Sequence, residues 1–319
     1  GKAKGVNHII GTIDNVEQDE IGQIKTLNLK DGRKVSGDFF FDCTGFSALL
    51  IDKTLGSSYE DWTDFLPVDT ALAVPSETTS PLNPYTLSTA REAGWTWRIP
   101  LQSRIGNGYV YSSRHTDEES ARNILLNALD SKPLADIRKI NFRAGRRKET
   151  WVKNCVALGL ASGFLEPLES TAIHLVIASI FKFFEHLPQT NDYEYLRKHY
   201  NQKFITDIEE IRDFIILHYY VSKRNDSEFW NYVTNMQVPD SLINKIEIFK
   251  QQGKVFTSQT DLFRAGSWVS VMVGMGLLQE YQLPILETIP NDFSTRIIND
   301  VANAIANDIN NAKSHDVFL

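Results

Sequence analysis

The chain has 319 residues, 42% apolar and 11% aromatic, with a net charge of −7, enough to bury a sizeable core in one large domain or two closely associated ones. The acidic balance and the lack of a long basic run exclude nucleic acid and anionic membranes as expected partners, and the longest apolar run, Trp268–Leu278, is too short to span a bilayer. Two cysteines, Cys43 and Cys155, are too few for a disulfide framework or a thiolate zinc site and suit a reducing cytoplasm.

No apolar segment follows Lys2 and Lys4, so no signal peptide is predicted. The abrupt entry from Gly1 into strand-like residues is expected of a polypeptide whose beginning lies elsewhere. Residues 6–42 alternate as short strands, with Ile24, Leu27 and Leu29 leading to the hairpin signal Asp31-Gly32. Phe39-Phe40-Phe41 then runs into Asp42-Cys43-Thr44-Gly45, an apolar strand ending in small residues, as at the edge of an α/β cofactor site. Residues 65–114 predict antiparallel sheet from the alternation of Ala71 and Ala73, then Trp95, Trp97 and Ile99. Gly106-Asn107-Gly108 reads as a turn before Tyr109-Val110-Tyr111. Ala121, Ile124, Leu125 and Ala128 predict an amphipathic helix over 117–130. Val156-Ala157-Leu158 predicts a short strand, followed by a loop to Ser170. A helix from Thr171 to about His186 then carries Ile173, Val176, Ile177, Ile180 and Phe181 at helical spacing. Further helices are predicted at 193–220, 227–236, 239–251, 261–278 and 292–312. The chain thus reads as α/β over residues 1–190 and helical over 191–319.

Two stretches hold residues that chemistry could use. From Leu158 to Thr171, a strand, a loop with Gly159, Ser162 and Gly163, and a helix start follow one another. The first amides of a helix lack internal acceptors and lie at its positive end, a setting for an anion or a cofactor. Spacing alone favours Ser170 or Thr171 capping the helix and Glu169 steadying its first turn. In Gly94–Pro100, Trp95 and Trp97 share one face of a strand. Two adjacent indoles either wall a dry channel or build a core ladder. Arg146-Arg147-Lys148 reads as a solvated turn. His174 and His186 have no partner at metal-ligand spacing, so no metal site is expected. Neither a Gly-x-Ser-x-Gly elbow nor a GxGxxG motif is present.

Taken together, several segments resemble the flavin-dependent tryptophan halogenase family, in order and over essentially the whole chain. They are GWTWRIP at 94–100, SGFLEPLEST at 162–171, DCTGF at 42–46, GRRKETW at 145–151, RDFIILHYY at 212–220, GMG at 274–276 and the ending HDVFL. The resemblance implies an α/β fold: a partial FAD-binding, flavoprotein-monooxygenase-like part with an antiparallel substrate sheet, and a C-terminal helical subdomain. Residues 1–190 would be the flavin- and substrate-facing part, an incomplete FAD-binding domain, and 191–319 the helices covering the substrate. It implies an oxidoreductase whose reduced FAD, supplied by a flavin reductase, gives a peroxyflavin with oxygen. A halide (chloride, bromide or iodide) attacks this, and the hypohalous acid passes to a small electron-rich aromatic, tryptophan or an indole-like compound.

Carried over, Thr171 and Ala172 offer the amides that hold the halide, although the family usually has Gly where Ala172 stands. Glu169 is the carboxylate that polarises the halogenating species or takes up the ring proton, and Ser170 supports it. Thr44, Gly45, Gly159, Ser162 and Gly163 face the cofactor, while Trp95, Trp97, Ile99, Pro100 and Trp268 line the substrate channel. The family's GxGxxG and its essential lysine lie further upstream of the tryptophan pair than this chain reaches, so the chain by itself is expected to be inactive. Residues 264–270 lack the polar and aromatic side chains that grip the amino-acid group in free-tryptophan enzymes, implying other or broader aromatic substrates. The rival expectations are an aromatic hydroxylase of the same fold and a non-catalytic remnant that binds aromatics. Glu169 and the two tryptophans count against both. A homo-oligomer is left open.

Overall fold

In the computed structural model, residues 1–79, 82–278, 287–313 and 315 are described. Residues 316–319 of the HDVFL ending lie outside them. In chain order the strands are β1 (Ile13–Gln18), β2 (Ile24–Leu29), β3 (Lys34–Ser36), β4 (Phe40–Asp42), β5 (Tyr59–Asp61), β6 (Thr70–Ser76), β7 (Leu87–Arg91), β8 (Gly94–Pro100) and β9 (Ile105–Tyr111). After α1 (Glu118–Asn127) come β10 (Arg138–Asn141), β11 (Gly145–Arg147), β12 (Trp151–Val152), β13 (Cys155–Ala157) and β14 (Gly163–Phe164). Among the described residues the further α-helices are α2 (Ala172–Glu185), α3 (Glu194–Tyr220), α4 (Glu228–Asn235), α5 (Asp240–Gln252), α6 (Ala265–Gly274) and α7 (Asn291–Asn311). The architecture is therefore mixed α/β, with antiparallel sheets early and helices late. Among the described residues no helix is long and apolar enough to cross a membrane.

Two compact units form, each from two stretches: residues 1–62 with 143–210, and residues 63–142 with 211–319. The linear division at 190/191 falls inside the first unit. The reason is strand pairing: β4 lies parallel to β13, with Phe40 opposite Cys155. That pairing draws residues 143–210 back to the first stretch and leaves a whole sheet between them.

In the first unit the β2–β3 hairpin turns at Asp31-Gly32, where Gly32 takes φ +86°. Asn154 ties β2 to β13 by accepting from the Ile24 amide (2.9 Å) and donating to the Ile24 carbonyl (2.8 Å). Trp151 stands edge-on to Phe39 (5.6 Å) and Tyr200 (5.4 Å), and Phe183 of α2 completes the cluster. Cys155 is fully buried; burial and then the Asp42 charge push its thiol up to about 12. Cys43 is exposed, its thiol raised by partial burial and by the same carboxylate. A thiol reagent at neutral pH should therefore modify one cysteine per native chain, slowly, and the second only after denaturation. Two prompt equivalents in the native protein would contradict this burial.

The second unit is built on a five-stranded antiparallel sheet in the order β10-β6-β9-β8-β7. Gly106-Asn107-Gly108 is not a turn here but part of β9, in register with Trp97, Arg98 and Ile99. Gly108 lies under the Trp97 ring, where an added Cβ would come within 2.1 Å of the indole. The glycine that looked like a turn signal is a packing requirement. On the opposite face α1, capped by Asp117 accepting from the Ser120 amide (2.8 Å), buries Ala121 and Leu125 on Leu72, Val74, Tyr109 and Tyr111. The start of α4 is fastened to the β7–β8 turn, since Trp230 Nε1 donates to the Arg91 carbonyl (2.7 Å) and Ser227 Oγ to that of Glu92 (2.6 Å). None of the side chains of α7 is buried.

Candidate functional site

In the first unit, β4 ends at Asp42, which is fully buried and organises the turn that follows. Its Oδ1 accepts from the Thr44 amide (2.9 Å) and hydroxyl (2.6 Å). Its Oδ2 accepts the amides of Leu50 and Ile51 (2.8 Å each) at the start of a π-helical turn, Leu49–Thr54. Gly45 follows at φ +68° with open space where a Cβ would stand. Phe46 lies edge-on to Phe164 at 5.8 Å, so the Thr44–Gly45 turn stands beside the turn that carries Gly159, Ser162 and Gly163. Gly159 adopts φ +60°, and a Cβ on Gly163 would sit 2.7 Å from the Gly145 carbonyl oxygen.

Arg147 braces this second turn. Its amide donates to the Ser162 carbonyl (2.8 Å), and its guanidinium donates to the carbonyls of Ala161 (3.4 Å) and Ser57 (3.1 Å) and pairs with Asp52 (2.8 Å). Arg146 is buried as well, between Glu60 (2.9 Å) and Glu209 (2.7 Å). The basic pair is thus not a solvated turn. Its carboxylate partners lie far off in sequence, where spacing cannot reveal them.

Helix α2 starts at Ala172 with Thr171 at the cap position, and no side chain caps it. Ser170 Oγ instead turns back toward the Pro167 carbonyl (3.4 Å). No acidic residue stands in the first turn, because half-buried Glu169 precedes the cap by two positions. Thr171 makes no side-chain cap bond, and the Ser170 hydroxyl faces the Pro167 carbonyl. Between Glu169 and Thr171 the chain turns at Ser170, whose φ of +53° is uncommon outside glycine. A cavity of about 180 Å³ opens here, walled by Gly159, Ser162, Gly163, Glu166, Thr171 and Ala172. Glu169 and Ser170 are not part of its wall. Glu166, 1% exposed, is part of it and was not singled out from the sequence.

The histidines hold another feature that spacing missed. His186 Nδ1 lies 2.7 Å from the Lys182 carbonyl and so carries the proton, and His186 Nε2 lies 2.7 Å from His199 Nδ1. Among the described residues no group of three or more His, Cys, Asp or Glu could hold a metal ion.

In the second unit Trp95 and Trp97 stand side by side on β8, ring centroids 5.9 Å apart. They lie over a floor of small residues, since Trp95 opposes Val110 and Trp97 opposes Gly108, and these in turn oppose Ala71 and Ala73. Ile99 and Pro100 continue the strand, half-buried. The buried indole N–H of Trp95 has no hydrogen-bond partner among the described residues. Trp268 differs from its expected channel position. It is fully buried in the helical core, edge-on to Phe214 at 5.0 Å, with the Lys245 ammonium 4.1 Å from its ring centre.

The tryptophan halogenase family model matches residues 1–291. The chain belongs to the tryptophan halogenase family. It is 38% identical over 256 residues to the tryptophan 6-halogenase SttH of Streptomyces toxytricini, covering 79% of this chain and 49% of that protein. It is 32% identical over 305 residues to the tryptophan 7-halogenase RebH of Lentzea aerocolonigenes, covering 90% of this chain and 58% of that one. Among solved structures it superposes on Xcc4156, a flavin-dependent halogenase from Xanthomonas campestris, with a TM-score of 0.97 and 41% identity, over 100% of this chain and 64% of the other. The chain spans about half the length of the curated relatives it matches.

Proposed function

We propose that this family member forms the flavin- and substrate-facing part of an FAD-dependent halogenase that places halide on an electron-rich aromatic ring. The observation that carries this reading is the uncapped start of α2 on the wall of the 180 Å³ cavity. First-turn amides at the positive end of a helix suit a halide ion. The bare backbone at Gly45 and Gly159, both in left-handed conformations on adjoining turns, fits the close approach of a flat ring system. Thr44, Gly45, Gly159, Ser162 and Gly163 would hold the flavin, which when bound supplies the activation of oxygen; a flavin reductase would keep it reduced.

The chain's own residues take the remaining tasks. The amides at Thr171 and Ala172 hold the halide, and the Ala172 methyl does not remove a donor. Glu169 accepts the proton that the substituted ring carbon must lose, and the left-handed turn at Ser170 sets its direction. In the second unit Trp95 and Trp97, with Ile99 and Pro100, offer an aromatic surface to the substrate. Family membership and this indole pair support halogenation over ring hydroxylation. Two unpaired cysteines suit a reducing cytoplasm.

The substrate class can be tested directly. The complete enzyme, given FAD, a reductase, oxygen and bromide, should brominate simple indoles and phenols with a kcat/KM at least equal to that for free tryptophan. The basis is residues 264–270, whose one aromatic, Trp268, is buried in the core. A marked preference for tryptophan, or hydroxylated products in place of brominated ones, would refute the reading.

A further inference from the structure

We propose that the second unit carries a binding site for a small aliphatic carboxylate, on the face of its five-stranded sheet that turns away from Trp95 and Trp97. The site lies apart from the proposed reaction and does not rest on it.

Strand register places its wall. Side chains two apart along a strand share a face. Thr96 opposes Tyr109 and Arg98 opposes Asn107, so both point to the side on which α1 packs. On the edge strand β7, Thr89 opposes Thr96 and Leu87 opposes Arg98, with Arg91 in step. These side chains border a cavity of about 180 Å³. Leu125 at the end of α1 and Leu129 just beyond it add an apolar wall, and Asp130 follows.

The charges on this wall do not cancel: two guanidiniums face one carboxylate. Arg98 is engaged by the protein. Its Nε lies 2.7 Å from Asp130 Oδ2, an ion pair without an aligned hydrogen bond, and a terminal nitrogen donates to the Thr79 hydroxyl (2.9 Å). Arg91 is engaged only at its base. Its Nε donates to the Thr96 hydroxyl (3.0 Å), which donates in turn to the Thr89 carbonyl (3.5 Å). Among the described residues its terminal nitrogens have no acceptor and its charge has no carboxylate partner. The floor beneath is rigid, since Thr96 and Asn107 are each 5% exposed and Asn107 Nδ2 donates to Ser76 Oγ (3.0 Å).

This arrangement selects a ligand. A guanidinium with both outer nitrogens free matches the two oxygens of a carboxylate. One positive charge in excess suits a monoanion, and the cleft concentrates that potential. Leu125 and Leu129 offer contact to a short aliphatic body, whereas an inorganic dianion would be desolvated against them without compensation. A halide ion is spherical and would use neither the planar fork nor the apolar wall.

The test titrates the complete enzyme with isovalerate in low-salt buffer, read by saturation-transfer NMR of the ligand and by tryptophan fluorescence, since Trp97 borders the cavity. Isovalerate should bind with a Kd on the order of 0.1–10 mM, the range for so small a ligand. Isovaleramide, which has the shape without the charge, and phosphate and chloride should each bind at least about tenfold more weakly. Arg91→Gln should raise the Kd about tenfold or more, and Arg91→Lys, which keeps the charge and loses the fork, several-fold. Arg138→Gln makes the same change of charge on exposed β10, at the other edge of the sheet, and should leave the Kd within about twofold. Circular dichroism checks each variant, and Arg91→Lys carries the test should Arg91→Gln misfold. Saturating indole, directed to the opposite face, should not displace isovalerate. No binding up to about 50 mM, equal binding of isovaleramide or chloride, indifference to the Arg91 substitutions, or displacement by indole would each overturn the inference.

Discussion

Replacing Glu169 by Gln in the complete, FAD-loaded enzyme is expected to lower halogenated product by roughly 10²–10⁴-fold, the scale of a lost general base, with oxygen consumption and melting temperature almost unchanged. Glu169 lies outside α2, two residues before its first cap position, and as a charge beside the helix start it would contribute only about 0.3–1 kcal/mol. It is half-buried, and the left-handed turn at Ser170 separates it from the helix. Gln keeps the shape and removes the capacity to accept a proton, so a folding role and a chemical role give different results. Product is read by mass spectrometry and oxygen uptake by electrode on the same sample. Product within a few-fold of wild type would move the proton acceptor elsewhere. Glu166, buried on the cavity wall, would be the next carboxylate to replace.

What could be read from sequence was what repeats locally. The alternation of Trp95, Trp97 and Ile99 places both indoles on one face of β8, as found, and the apolar spacing from Ile173 to Phe181 marks α2 to within a residue at either end. What could not be read depends on partners distant in the chain. Gly108 is bare because Trp97 lies across it from the next strand, a reason that only pairing exposes. Arg146 and Arg147 look like surface charge until Glu209 and Asp52 are brought to them. His186 meets His199 only because α2 and α3 pack together. The two units each draw on two stretches, so no single boundary in sequence could mark them. Of the candidate residues, Thr44, Gly45, Gly159, Ser162, Gly163, Thr171 and Ala172 gather in the first unit. Trp268 does not keep its assigned place, because helical periodicity cannot say which neighbour an inward-facing indole meets.

Asp42→Asn is expected to lower stability by about 2–4 kcal/mol, a large effect for one atom exchanged. The native carboxylate accepts four hydrogen bonds within 2.6–2.9 Å, two on each oxygen. An amide must turn its NH₂ toward one of these pairs. Facing Leu50 and Ile51, it would set a donor against two backbone donors that are themselves buried. Each amide left without an acceptor costs about 1–3 kcal/mol. Facing Thr44, it would release the turn that leads into Gly45. Thermal unfolding should register the change as a drop of roughly 5–15 °C in Tm. Thr44→Val, which leaves three of the four bonds to Asp42 but also removes the hydroxyl that accepts from the Leu49 amide (2.8 Å), should cost about 1–2 kcal/mol. Because the same carboxylate shapes the Thr44–Gly45 turn, the surviving folded Asp42→Asn protein should also bind FAD more weakly, seen as faster loss of the cofactor on gel filtration of the complete enzyme. A Tm within about 2 °C of wild type would mean that the turn is held by other contacts and that Asp42 does not organise it.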